Sequence, residues 1–139
     1  MLYGRYEHNI DAKGRIFVPV SLRDKLGSHF MAAAVLDHCI SLYSDEEWEK
    51  LMANINAAPV SKSRDLQRYL SANAKDVEVD AQGRILLPRH LLAYGGLEKE
   101  AIVIGAGNRA EIWNPQAYER TVGAMTAEDV EAAFAELGF

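Results

Sequence analysis

The sequence predicts an α+β fold: two tandem β-hairpin repeats packed about a pseudo-twofold axis into one body, with helices at the periphery. Three observations lead there. The stretch Asp11-Ala12-Lys13-Gly14-Arg15 returns almost unaltered as Asp80-Ala81-Gln82-Gly83-Arg84. Each copy continues into a β-prone run and a proline, Ile16-Phe17-Val18-Pro19 and Ile85-Leu86-Leu87-Pro88, and then into a helical pattern, so turn, strand, proline and helix repeat together. Finally, each copy (residues 1–70 and 71–139) offers only four short strands. A unit that small buries little core alone, so the copies should interleave strands rather than hang as beads on a string.

Taken in order, residues 6–10 alternate, end in Asp-Ala-Lys-Gly, and give way to residues 15–18, which alternate again. This pattern predicts a β-hairpin. Aspartate is favoured at the first position of a type I turn, and a following glycine in the left-handed region makes the bulge that restores strand twist. Asp11 and Gly14, like Asp80 and Gly83, are thereby explained by backbone geometry. No turn requires an arginine after the glycine, yet Arg84 repeats Arg15 while Lys13 has become Gln82. Two readings of Arg15 stand: a surface ion pair with Asp11, worth at most about 1 kcal/mol, or a guanidinium fork that Asp11 holds outward for an anionic partner.

Pro19 and Pro88 end their strands, and short helices follow. Ser21 with Asp24 resembles a capping box, with Gly27 as stop; in the second copy Gly95 and Gly96 stop the helix. Strands are expected over 31–36 and 40–43, matched by 101–104 and 110–113, with connecting turns that differ by about one residue. Ser44, with Glu47 reaching back, and Asn114 with Pro115 begin longer helices, whose Trp48 and Tyr118 correspond and read as core packing in preference to base stacking. Ala57-Ala58-Pro59 breaks the chain. Residues 61–73 then form a helix with Leu66, Tyr69 and Leu70 as its buried stripe, and the last helix, 127–137 with Thr126 as cap, uses Val130, Phe134 and Leu137.

Composition bounds the function. The 139 residues are 49% hydrophobic and 25% charged, as in a globular protein, and the longest apolar run, 30–36, falls short of the roughly 20 residues of a membrane span. The first residues lack a secretory pattern, and a lone Cys39 permits neither an internal disulfide nor a zinc cluster, so a cytoplasmic protein is expected. Net charge is −5, against the basic excess usual for DNA binders, but it is unevenly spread. Residues 1–30 hold five bases against three acids, whereas residues 126–139 hold four acids and no base. The helix over 61–73 is basic through Lys62, Arg64 and Arg68, and its acidic counterpart at the C-terminal end could pair with it head to tail between subunits, closing a ring. Solvated faces, or pairing within one chain, are the competing readings. An enzyme is disfavoured: His8, His29, His38 and His90 have no ligand spacing, and no nucleophile–base pair, cofactor motif or phosphate-cradling loop is evident. No cofactor, metal or small-molecule substrate is therefore expected.

The paired Asp-x-x-x-Arg hairpins, the preceding Tyr6-Glu7-His8-Asn9-Ile10, the shared Gly-Arg-Ile-x-x-Pro, the Arg64-x-x-x-Arg68-x-Leu70 helix and the Glu111-Ile112-Trp113 strand together resemble the MraZ family of bacterial transcriptional regulators. The wider group is similar to AbrB-like proteins, so the resemblance implies a swapped-hairpin barrel with both halves in one chain. It also implies a cytoplasmic, nucleoid-associated protein that forms rings, binds direct repeats ahead of the cell-division and cell-wall operon, and represses its own gene. On the family pattern Arg15 is the principal DNA contact and Asp11 its support, with Arg84 in the same motif position but expected to contribute less. The chemistry is compatible: an arginine fork can donate to both O6 and N7 of guanine in the major groove, while Arg5, Lys13 and His8 would contact phosphate. For His8 an ordinary strand histidine is an equal reading. A protein-interaction or scaffold module without sequence-specific DNA binding is the alternative function.

Overall fold

The computed structural model describes residues 1–139. In chain order the elements are β1 (Arg5–Asn9), β2 (Arg15–Phe17), α1 (Val20–Leu26), β3 (His29–Ala34), β4 (Ile40–Tyr43), α2 (Asp45–Asn56), α3 (Val60–Asn73), β5 (Lys75–Glu78), β6 (Arg84–Leu86), α4 (Arg89–Tyr94), β7 (Glu100–Gly105), β8 (Ala110–Trp113), α5 (Pro115–Arg120), a 3₁₀ turn at Val122–Ala124, and α6 (Ala127–Glu136). None of the helices is long and apolar enough to cross a membrane.

The two copies exchange strands. One antiparallel sheet has the order β1-β7-β8-β4-β3-β5, and β2 pairs with β6 in a separate ribbon. Thus β1 lies on β7, β5 on β3, β4 on β8 and β2 on β6, each pair joining one copy to the other. The registers carry the pseudo-twofold. Ile16 faces Ile85 at the centre of the ribbon, and Ser41 faces Glu111 at the centre of the sheet. The connection over 35–39 is one residue longer than that over 106–109, so the copies do drift there, but the longer turn is in the first copy, whereas the expected strand bounds put it in the second.

This arrangement changes the expected hairpin. Instead of a ladder between β1 and β2, a single bridge, Ile10 to Ile16, closes the turn. A bulged turn adds local twist, so β2 leaves the plane of the sheet and its backbone groups find β6 instead. The ladders also do not close into a barrel: β1 and β5 remain as the two edges of an open six-stranded sheet, with the ribbon laid against it.

The main core lies between the ribbon and one face of the sheet. Ile16 and Ile85, Leu22 and Leu26 of α1, and Leu91 of α4 meet Phe30, Ala32, Leu42, Val77, Val103 and Ile112. On the other side Cys39, Ile102, Ile104, Trp113 and Tyr118 form a second cluster, where the buried Glu111 carboxylate accepts from Trp113 Nε1 at 3.1 Å and Arg109 Nε at 3.0 Å. Tyr118 packs edge-on to Trp113, and half-buried Trp48 packs on Tyr43, so both matched aromatics serve packing. Ile16→Ala should destabilise the protein by about 2–5 kcal/mol in chemical denaturation, and Ile85→Ala by a similar amount, because the two fully buried residues are symmetry mates at one contact.

Three local expectations are overturned. Ser21 caps nothing; α1 begins after Pro19, and the Ser21 hydroxyl instead shares a 2.7 Å hydrogen bond with Tyr6. Along α3 the inward face is Ser63, Gln67 and Leu70, whereas Leu66 and Tyr69 are exposed. The stripe of α6 is not buried at all: Val130, Phe134 and Leu137 are exposed, and the helix buries no residue. Periodicity correctly located an apolar face on α6 but could not say that the same chain fails to cover it. Caps fared better, since Ser44 accepts from the Glu47 amide, Asn114 from Ala117, and Thr126 with Asp129 forms a full capping box.

Candidate nucleic-acid interface

The two Asp-x-x-x-Arg turns have nearly superimposable hydrogen bonding. In the first, the Gly14 amide donates to the Asp11 carbonyl at 3.0 Å and the Asp11 amide to the Arg15 carbonyl at 3.0 Å. The second repeats this with Gly83 and Asp80 at 3.0 Å and Asp80 and Arg84 at 2.8 Å. Gly14 and Gly83 take φ of +90° and +81°, the bulge conformation that glycine adopts without strain.

Each aspartate divides its two oxygens between backbone and arginine. Oδ1 of Asp11 accepts from the amides of Lys13 and Arg15, at 3.0 and 2.9 Å, while Oδ2 accepts from Arg15 Nε at 2.7 Å. Asp80 does the same with the Gln82 and Arg84 amides, both at 2.9 Å, and Arg84 Nε at 3.0 Å. The carboxylate therefore shapes the turn and orients the guanidinium, so one side chain serves both the backbone geometry and the ion pair with Arg15. These bonds, the Arg15 amide first, hold the Asp11 carboxyl at about 2 against an ordinary 3.8, and the Arg84 amide likewise lowers Asp80. Since the folded-state value is depressed, the clamp stabilises the protein above the ordinary carboxylate range and is lost as pH falls from there towards 2. A carboxyl-carbon NMR titration should give Asp11 a midpoint at about 2. In Arg15→Ala the midpoint should move only part of the way back, because both main-chain amides stay.

Chemistry separates the two arginines. Arg15 and Arg84 are similarly accessible, their side chains 34% and 31% exposed. No protein group engages either terminal nitrogen of Arg15. Arg84, by contrast, directs Nη2 to the Gln82 side-chain oxygen at 3.4 Å and Nη1 towards Asp11 Oδ2 at 3.9 Å. The change from lysine to glutamine thus alters the second turn in two ways: it removes a cation and supplies an internal acceptor.

Of the other expected contacts, Lys13 is exposed on the first turn beside Arg15. Arg5 is not brought to the turns. It sits over the Tyr118 ring at 5.3 Å and pairs with Glu7 at 3.2 Å and Glu119 at 3.8 Å. His8 packs its ring against Phe17 at 5.1 Å, as a strand histidine does. Beside the first turn, a hollow of about 710 Å³ includes Glu98, Lys99 and Glu100 together with Asp11, an acidic lining unsuited to phosphate. Sequence reasoning missed Arg23, which stands over Phe17 at 5.3 Å and packs on the second turn. Its place in a helix of the first copy gave no hint that it serves the second.

A family profile described as "MraZ protein, putative antitoxin-like" matches the chain twice, over residues 1–68 and 70–137. A protein named transcriptional regulator MraZ from Acetivibrio thermocellus is 42% identical over 142 residues, covering 99% of each chain. Its namesake from Lachnoclostridium phytofermentans is 45% identical over 120 residues, covering 86% of this chain and 85% of its own. That from Carboxydothermus hydrogenoformans is 38% identical over 135 residues, covering 96% of this chain and 94% of its own. With both halves of the chain matched and relatives this similar along nearly their whole length, the chain belongs to the MraZ family.

Proposed function

We propose that the protein is a non-catalytic, sequence-specific DNA-binding regulator of transcription, a nucleoid-associated repressor that uses its Asp-x-x-x-Arg turns to read duplex DNA. The observation that carries this reading is the geometry of Arg15: its Nε is fixed by Asp11 while both terminal nitrogens are left without a protein partner on an accessible turn. A fork so held has lost its conformational freedom before binding and can donate twice to guanine O6 and N7. Lys13 adds a phosphate contact that sets register. The relatives' name, transcriptional regulator, supports the same reading.

One turn reads few bases, so specificity needs several. Our proposal extends to a ring of subunits that engages direct repeats upstream of the protein's own gene, at the head of the operon for cell division and cell-wall synthesis. Linkage of this kind raises avidity by roughly 10²–10⁴ where the geometry allows simultaneous contact. Two surfaces support assembly. Helix α6 leaves Val130, Phe134 and Leu137 uncovered on an acidic helix, and α3 leaves Leu66 and Tyr69 uncovered among Lys62, Arg64 and Arg68. No ion pair joins these helices within the chain; the Arg68 partner is Asp65 of the same helix. Sizing in low and high salt should therefore find an assembly that shrinks in Glu128→Lys with Glu131→Lys; an unchanged size would remove this contact from the ring.

Titration of labelled upstream duplex at several salt concentrations tests the function. A DNA reader prefers the upstream duplex to a scrambled one and loses affinity steeply as salt rises. A scaffold module would bind both weakly and without preference.

A further inference from the structure

We propose that Arg23 is a phosphate-binding residue of the second turn, lent by the first copy in place of the lysine that Gln82 lacks; this deepens the DNA-binding reading and rests on it. Three observations carry it. First, Arg23 is held as Arg15 is held: Nε donates to the Val18 carbonyl at 2.6 Å, the guanidinium lies over the Phe17 ring at 5.3 Å, and neither terminal nitrogen has a protein partner. Val18 is itself tied to the second turn, its amide donating to the Gly83 carbonyl at 2.9 Å.

Second, the guanidinium lies on the turn itself. A Cβ at Gly83 would stand 3.0 Å from Arg23 Cζ and 3.1 Å from Nη2, so the glycine makes the close approach possible. Phe17 faces Arg84 across the ribbon, which puts Arg23 on the same patch as the second motif arginine.

Third, the pseudo-symmetric position is apolar. Leu92 of α4 packs on Gly14 in the way Arg23 packs on Gly83, with Leu92 Cδ1 3.0 Å from a Cβ built there. The first turn thus carries its extra cation on the loop, as Lys13, over a leucine. The second carries none on the loop and one beneath it. Packing alone would be served by leucine at both positions, as it is at the first. An arginine with two unengaged donors at the turn that lost its lysine restores the charge needed to hold a backbone phosphate.

The test is fluorescence anisotropy of upstream and scrambled duplexes, at several salt concentrations, with the wild type, Arg23→Gln and Arg23→Lys. Gln keeps a shorter polar side chain without the charge, whereas Lys preserves charge without the planar brace. A phosphate contact predicts that Arg23→Gln weakens binding to both duplexes by the same factor. It also predicts that the slope of log K against log salt drops by about 0.9 for each second turn engaged, and that Arg23→Lys keeps the wild-type slope. If Arg23→Gln keeps that slope, or if Arg23→Lys loses as much as Arg23→Gln, Arg23 is a brace and the proposal is overturned. A wild-type protein blind to salt and sequence would instead overturn the DNA-binding reading itself, and this inference with it.

Discussion

Arg15→Ala is expected to abolish preference for the upstream duplex while leaving fold and assembly intact. The Arg15 side chain contributes one hydrogen bond to its turn, from Nε to Asp11, whereas the Asp11 Oδ1 bonds come from main-chain amides that alanine retains. The turn should persist. What disappears is a fork worth about 1–3 kcal/mol of base discrimination at each hairpin, and in a multivalent complex each loss also lowers the effective concentration that links the next contact. Binding assays should therefore fall to the level of scrambled DNA. Arg84→Ala should weaken binding less, because Gln82 and Asp11 already draw on its terminal nitrogens. Equal losses from the two substitutions would refute this division of labour.

Gly14→Val should damage the fold itself. The residue sits at φ +90°, where a β-branched side chain is strained by about 1–3 kcal/mol, and a Cβ would lie 2.9 Å from the Leu87 carbonyl oxygen and 3.0 Å from Leu92 Cδ1. The Leu87 contact is to backbone: its amide donates to the Gly14 carbonyl at 3.0 Å, so it cannot retreat without breaking the link between the copies. A drop in melting temperature together with loss of DNA binding is expected. Wild-type stability would mean that the turn tolerates a conformation unlike the one described.

Gly14 and Gly83, Asp11 and Asp80 could be placed because a turn constrains backbone locally, and duplication stated the constraint twice. Interleaving was legible too, since a half-sized repeat has too little core for independence. The route of β2 was not: its pairing with β6 is decided by a partner far along the chain, and a turn signal alone reads as an ordinary hairpin. The same limit hid Arg23. Its partner glycine is in the other copy, and within its own helix it is simply a basic residue in the last turn. Arg5, which reads from sequence as a phosphate contact, has partners the sequence did not suggest, Tyr118 and Glu119, more than a hundred positions on. Apolar stripes at Leu66 and Tyr69, and at Val130 and Phe134, were legible as stripes, but periodicity does not say whether the covering surface is in the same chain.

Dimethyl sulfate footprinting of the DNA upstream of the protein's own gene bears most directly on the claim that a fixed guanidinium at the turn reads the groove. The reagent methylates guanine N7, the acceptor assigned to Arg15. A guanidinium reading the groove in this way protects guanines at a regular spacing in the wild-type complex, and the protection should vanish with Arg15→Ala at equal concentration. Protection that survives unchanged in Arg15→Ala would contradict that claim.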